Sequence, residues 1–156
     1  MVKNKCGLLL FIIAAIAVYY TGLTAASENH SKILTSCVKD IPNLKMHYHV
    51  NLHIIYFNQP YAFPKAIGLE EGCDHPIQVH DDADQQIHIH YSQLYPFTLG
   101  DFFTTWGVIF NKNQFGATMA GRRYSISMKV NGRSNKDFER YILKNNDNIE
   151  LTISKK

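Results

Sequence analysis

The chain has 156 residues, with 16 lysines and arginines against 13 aspartates and glutamates, and a net charge of +3 when histidine is neutral. The basic residues are scattered, which excludes the clustered positive surface typical of nucleic-acid-binding proteins. Once an apolar N-terminal segment is set aside, roughly 130 residues remain, enough for one domain with a modest core.

The N-terminal segment, residues 1–27, has the pattern of an export signal. Lys3 and Lys5 precede an uncharged stretch in which residues 7–20 are almost purely apolar and the last residues are small, an order typical of a secretory signal peptide. As a helix, the stretch is also long enough to cross a hydrocarbon core of about 30 Å. The protein is therefore expected to be either secreted after cleavage or anchored in the cell membrane by a single span with its N-terminus in the cytoplasm. Both alternatives place the remaining chain outside the cytoplasm.

Residues 28–45 are polar and show no clear period, which indicates a stalk or a segment that wraps around the domain. They include Cys37, and the other cysteine beyond the leader is Cys73. In an oxidising compartment two such thiols are expected to pair, and the bridge would close a loop of about 37 residues and contribute about 4 kcal/mol in the chain-entropy model. The alternative is that Cys73 is a thiolate metal ligand beside His75.

From Met46 onward, polar and apolar residues alternate with the period of two that a half-buried strand shows. One face carries Tyr48, Val50, Leu52 and Ile54, and the other carries His47, His49, Asn51 and His53.

A second alternating region, residues 76–90, predicts a β-hairpin with a short loop around residues 83–85. In this hairpin His80 would lie opposite His88, and Gln78 opposite His90, so that all four side chains share one face. The isoleucine and valine side chains take the other face, and a one-residue slip would bury the histidines.

The C-terminal half predicts one short helix and several more strands. Thr98 and Asp101 form a capping box that opens the helix, and Gly107 ends it. Strands are predicted at 108–110 and 124–130 and, after a turn near residues 145–148, at 149–153. Asn131-Gly132 is a type I′ turn signal after the strand at 124–130, whereas residues 138–144 fit a helix or a strand. The expected fold is α+β and mostly β, with an N-terminal transmembrane helix or signal and one small antiparallel domain, residues 46–154, that has one or two short helices.

The polar faces of the predicted strands offer several nitrogen ligands for a metal ion. His80 and His88 form the two-ligand core of this hypothesis, and a third nitrogen would come from His90, His49 or His53. Asp81 could accept a hydrogen bond from a ligating imidazole. Nitrogen-rich ligation indicates copper or zinc rather than calcium or magnesium. The alternative is a solvated polar face that happens to contain histidine.

The sequence lacks the signatures of the common enzyme classes, namely a nucleophile elbow, a phosphate-binding glycine loop and a Cys-x-x-Cys motif. A hydrolytic metalloenzyme would also need a general base, for which Asp81, Asp82 and Glu71 are the available residues. Nothing in the pattern places any of them beside the metal, so a non-catalytic module is favoured.

Three segments of the chain, residues 80–81, 87–89 and 97–107, resemble an uncharacterised family of small exported or membrane-anchored proteins. The family occurs in archaea, ammonia-oxidising ones among them, and in bacteria. Its pattern is Ile-His-x-His-Asp, a short turn, Ile-His-Ile-Glu and then Thr-Leu-Gly-Asp-Phe-Phe-x-x-Trp-Gly. The resemblance covers roughly residues 46–154 and implies a compact β-rich outer domain without implying an activity. This chain has Gln78 in place of the first histidine of the pattern and His90 in place of its glutamate.

Two functions follow as expectations. The first is a membrane-anchored or secreted extracytoplasmic module that binds copper or zinc through its histidine-rich sheet face. The second is a non-catalytic accessory subunit of a larger membrane complex. Because the resembling family is present in ammonia oxidisers, a copper-dependent ammonia monooxygenase is one candidate for that complex.

Overall fold

The computed structural model describes residues 27–39, 41–80 and 86–156. All but the last residue of the predicted leader at 1–27 lies outside these ranges, as do Asp81, Asp82 and the predicted hairpin loop at 83–85. In the described part of the chain, no helix combines the length and the apolar character needed to cross a membrane.

The chain divides into two compact units, one ending at Thr35 and one comprising residues 36–156. In the first unit, residues 27–34 are helical (α1), although the sequence predicted no regular element there. The Glu28 carboxylate and the Lys32 ammonium lie 2.8 Å apart, one helical turn from each other. An exposed pair of this kind adds only a few tenths of a kcal/mol, roughly, to a helix, so its pattern is a weak sequence signal.

The second unit is mostly β, as predicted. Its strands are β1 (Met46–Tyr56), β2 (Gln59–Tyr61), β3 (Leu69–Glu70), β4 (Cys73–Asp74), β5 (Ile77–Gln78), β6 (Gln86–Tyr91), β7 (Phe110–Asn111), β8 (Gln114–Phe115), β9 (Thr118–Met119), β10 (Tyr124–Val130), β11 (Arg133–Asn135) and β12 (Asn148–Lys155). Helix α2 (Leu99–Trp106) follows β6, and a 3₁₀ turn (Phe138–Arg140) precedes β12.

Seven of these strands form the main sheet, in the order β11-β10-β12-β1-β6-β5, with β2 also paired to β1. The alternation predicted for β1 is confirmed, because Met46, Val50, Leu52 and Ile54 are buried on one face. One pairing departs from the predicted antiparallel arrangement: β1 and β12 run parallel, with Leu52 beside Ile149.

The predicted register between the two arms of the histidine hairpin is wrong by two residues. Gln78 pairs with His88, and Ile77 pairs with Ile89. A shift of two residues leaves every side chain on its original face, because the side chains of a strand alternate with a period of two. The apolar pattern therefore determines the face but does not distinguish between these two registers.

Helix α2 begins and ends where the sequence predicts. The Thr98 hydroxyl accepts a hydrogen bond from the Asp101 backbone N–H, and the Asp101 carboxylate accepts one from the Thr98 N–H. Gly107 ends the helix with φ of 77°, a left-handed conformation that glycine adopts without steric cost. Phe102 and Phe103 are fully buried, so these two aromatic side chains of α2 are part of the core.

The C-terminal predictions are mostly confirmed. The strand at 124–130 and the Asn131-Gly132 turn are present, with φ of 51° and 77° at the two turn residues. The segment that fitted a helix or a strand contains the 3₁₀ turn and an isolated β-bridge between Ile142 and Thr98. The predicted strand at 108–110 begins only at Phe110, in a small sheet formed by β7, β8 and β9.

Cys37 and Cys73, for which pairing and metal ligation were both open, are joined by a disulfide. The backbone N–H of the neighbouring Val38 also donates to the Asp74 carbonyl, at 2.7 Å. The disulfide and this hydrogen bond together fasten residues 37–38 to β4.

Candidate metal centre

Five histidine side chains lie together on the polar face of the main sheet. They are His47 and His49 from β1, His88 and His90 from β6, and His80, which follows β5; we call them the histidine cluster. The two strands bring their histidines directly opposite each other, with His47 beside His90 and His49 beside His88. In each of these cross-strand pairs the ring centroids are 4.6 Å apart.

His80 joins the cluster from the chain that leaves β5. Its ring stacks on His88 with centroids 4.4 Å apart and an interplanar angle of 28°. The His80 and His90 rings are nearly perpendicular, with centroids 6.1 Å apart. Because β5 pairs with β6 in the shifted register, His80 reaches His88 diagonally and not as a direct partner.

The backbone of His49 is held from the side of β1 that faces away from β6. Its N–H donates to the Asn145 side-chain oxygen at 2.9 Å, and its carbonyl accepts from the Asn146 N–H at 2.8 Å. Asn146 has φ of 64°, a left-handed conformation that asparagine tolerates better than most residues. The turn before β12 thus completes the hydrogen bonding of β1 at the cluster.

Gln78 lies beneath the cluster and is 1% exposed. Its side-chain amide nitrogen is 2.8 Å from Nδ1 of His90. The sequence placed Gln78 on the face of the histidines, opposite His90 in the predicted register, but assigned it no role. A buried glutamine beside a histidine strand is the signal that points to this contact, although its partner depends on the register.

Two ring nitrogens of the cluster are buried without a hydrogen-bond partner among the described residues, namely Nε2 of His80 and Nε2 of His90. The Gln78 side-chain oxygen is also buried without a hydrogen-bond partner among these residues. Buried polar atoms normally have partners, and an exception calls for an explanation such as a bound water or ion.

The electrostatic environment keeps His90 neutral. Burial is the main cause that lowers its pKa to about 4, and repulsion from the other four histidines of the cluster adds to the shift. A neutral imidazole has the lone pair that a metal ion needs. His90 is therefore in the ligating charge state at pH 7.

The cluster is not a finished coordination site. Across ranges 27–39, 41–80 and 86–156, no group of three or more histidine, cysteine, aspartate or glutamate side chains is arranged to hold a metal ion. The stacked pair shows one reason, because the lone pairs of nearly parallel rings point along parallel planes. His80 and His88 would therefore share an ion only after one ring turned. The His80 and His90 rings are not stacked, but their centroids are 6.1 Å apart, so they too would have to move closer to bind one tetrahedral zinc ion.

The structure brings together four of the five histidines predicted as ligands: His49, His80, His88 and His90. His53 lies four residues beyond His49 on β1, about 13 Å away at the usual rise of a strand, and its neighbour in β12 is Glu150. His47, which the sequence placed on the same face without proposing it as a ligand, belongs to the cluster instead. Asp81 lies outside the described residues, so its predicted role stays a prediction.

Comparison of the chain with family models, with curated proteins and with solved structures gives no match. The resemblance noted in the sequence, and the role of the cluster as a metal site, therefore stay predictions.

Proposed function

We propose that this protein is an exported or membrane-anchored module whose histidine cluster binds copper or zinc outside the cytoplasm. The observation that carries the proposal is the convergence of five imidazoles on one sheet face, two of which have buried Nε2 atoms with no partner among the described residues. Histidine nitrogen suits both metals, and among the described residues the cluster contains no carboxylate or thiolate that would favour another ion. A solvated polar face would not need to bury these atoms.

Binding would select an arrangement of the cluster that differs from the metal-free one. The ring of His80 or His88 has to leave the stack, while His90 already has a partner that holds it in place. Turning one side-chain ring costs about 1 kcal/mol or less, small compared with the affinity of a histidine-rich metal site. The stacked arrangement is thus consistent with a site that closes around its ion.

Elemental analysis of the full chain tests the proposal. The protein is purified without a histidine tag from cells supplied with zinc and copper, and is compared with the His80→Ala/His88→Ala double variant. We expect about one metal ion per chain for the wild type and a loss of metal in the double variant. A His53→Ala variant is the matched control, because it removes a histidine of the same strand face outside the cluster, and it should keep its metal.

If the wild type carries no metal and binds none at micromolar zinc(II) or copper(I), the proposal is refuted. The proposal is also refuted if the His53→Ala control loses as much metal as the double variant.

A second proposal, a non-catalytic subunit of a membrane complex, draws on a different surface. Leu94 is 74% exposed and Ile142 is 49% exposed, and both line an apolar groove of about 400 Å³ together with Met46 and Tyr48. Exposed apolar side chains around a groove are typical of protein contacts. Detergent extraction should then recover a defined complex that the double histidine variant still forms and that a Leu94→Asp variant does not form.

A further inference from the structure

The contact between Gln78 and His90 can be made in two ways. A half-turn of the glutamine amide exchanges its nitrogen and oxygen, and a neutral imidazole has two tautomers. In the first arrangement the amide N–H donates to Nδ1, and the ring proton of His90 is on Nε2. In the second, Nδ1–H donates to the amide oxygen, and Nε2 has a free lone pair. Both are compatible with the 2.8 Å separation.

The two arrangements differ in what they leave unpaired. The first leaves the amide oxygen of Gln78 and Nε2 of His90 buried with no partner among the described residues. The second supplies the oxygen with the Nδ1 proton and leaves a lone pair on Nε2, but it moves the amide NH2 of Gln78 to the place where the oxygen had no partner. A metal ion on Nε2 would use that lone pair, and ligating histidines usually donate their other ring N–H to an oxygen acceptor.

We propose that Gln78 is a positioning residue for metal binding: its amide turns over when the ion arrives, accepts the Nδ1 proton of His90 and directs Nε2 of His90 at the metal. This inference rests on the proposed function and adds the ligand atom and the group that orients it. Gln78 is suited to this role because it is 1% exposed and lies in β5, where pairing with β6 holds its backbone in place.

The choice of glutamine over a carboxylate also has a physical reason. A carboxylate at the same place would accept from Nδ1 permanently, but it would be a buried charge in the metal-free protein. The neutral amide can serve as donor in the metal-free state and as acceptor in the loaded state. Gln78 thus pairs with His90 in both states without introducing a charge.

Nuclear magnetic resonance of the histidine ring nitrogens tests the inference directly. The full chain, labelled with ¹⁵N, is measured metal-free and after addition of zinc(II) or, separately, copper(I), both of which are diamagnetic. We expect the ring proton of His90 on Nε2 without metal and on Nδ1 with metal. An unprotonated Nδ1 in the loaded wild type overturns the inference, and this measurement needs no variant.

Three variants extend the test to affinity. Gln78→Leu removes both hydrogen-bonding arrangements and should weaken zinc(II) binding by about 10–100-fold. Gln78→Glu keeps an oxygen that can accept the Nδ1 proton of His90. We expect this variant to bind zinc(II) no more than about threefold more weakly than the wild type and to have the His90 proton on Nδ1 even without metal. Gln86→Leu is the control, because Gln86 lies on the same face of β6 but bonds to Asn51, at 2.9 Å; it should bind as the wild type does.

The outcomes separate the two proposals. If the wild type binds neither zinc(II) nor copper(I), the proposed function fails. If the wild type binds metal and Gln78→Leu binds it equally well, the role of Gln78 fails while the metal site stands.

Discussion

Asp147 offers a sharp test of how the end of the sheet beside the cluster is held. The residue is 4% exposed and immediately precedes β12. One carboxylate oxygen accepts from the Asn131 side chain at 2.9 Å. The other accepts from the Tyr141 hydroxyl at 2.8 Å and from the Lys144 backbone N–H at 3.0 Å. Asp147 therefore joins the β10–β11 turn to the segment that leads into β12.

The magnitude of an Asp147→Ala substitution follows from these three contacts. A hydrogen bond to a charged group contributes about 1.5–3 kcal/mol. Asn131 is exposed and Tyr141 is partly exposed, so water replaces some of the lost contacts and the lower part of the range applies. We expect a loss of about 3–5 kcal/mol in the free energy of unfolding, a large share of the roughly 5–15 kcal/mol typical of a domain. Tyr141→Phe, which removes a single hydroxyl, should cost about 1–1.5 kcal/mol.

Urea denaturation followed by circular dichroism measures both substitutions and their combination. The double variant should show a coupling energy of about 1–2 kcal/mol, because the two residues share one hydrogen bond. Asp137→Ala is the matched control; this exposed aspartate should change stability by less than about 0.5 kcal/mol. The reasoning is refuted if Asp147→Ala lowers the free energy of unfolding by less than about 1 kcal/mol, or if the effects of Asp147→Ala and Tyr141→Phe simply add in the double variant.

Three other predictions concern the fold and the cluster. Replacing both cysteines of the disulfide by serine should lower the free energy of unfolding by about 4 kcal/mol, and reductant should then have no further effect on the urea midpoint. In the metal-free chain, the free energy of unfolding should fall as the pH drops from 6.5 to about 4, because in this range His90 is protonated in the unfolded state but not in the folded state. Since His90 is partly exposed, we expect a loss of about 1–2 kcal/mol. The loss should be absent in His90→Asn. Gly100→Ala should cost about 1–3 kcal/mol in the same assay, because its Cβ would lie 2.7 Å from the Glu139 carbonyl oxygen, while Gly121→Ala, with open space around it, should not.

Local patterns in the sequence predicted the local elements well. Strand β1 and helix α2 carry their signals within a few residues, as an alternation and as a capping box between Thr98 and Asp101. The hairpin register was not accessible in this way, because a two-residue shift preserves each face of the strands. His53 was counted among the predicted ligands for a similar reason. Alternation placed it on the histidine face, but the strand pairing decides which histidines meet: His47 and His49 pair with histidines of β6, whereas His53 lies beside Glu150 of β12.

The parallel pairing of β1 with β12 has a consequence for biogenesis. These two strands are adjacent at the centre of the sheet but lie about a hundred residues apart along the chain. Contacts of such long sequence separation form slowly, and they cannot form before the later strand has been synthesised. In a chain that emerges from a ribosome or a translocation pore, the edge of β1 that pairs with β12 therefore stays unpaired until β12 has also emerged. For the exported module that we propose, this delay leaves the chain unfolded enough to pass through the pore, and the sheet is completed only after translocation.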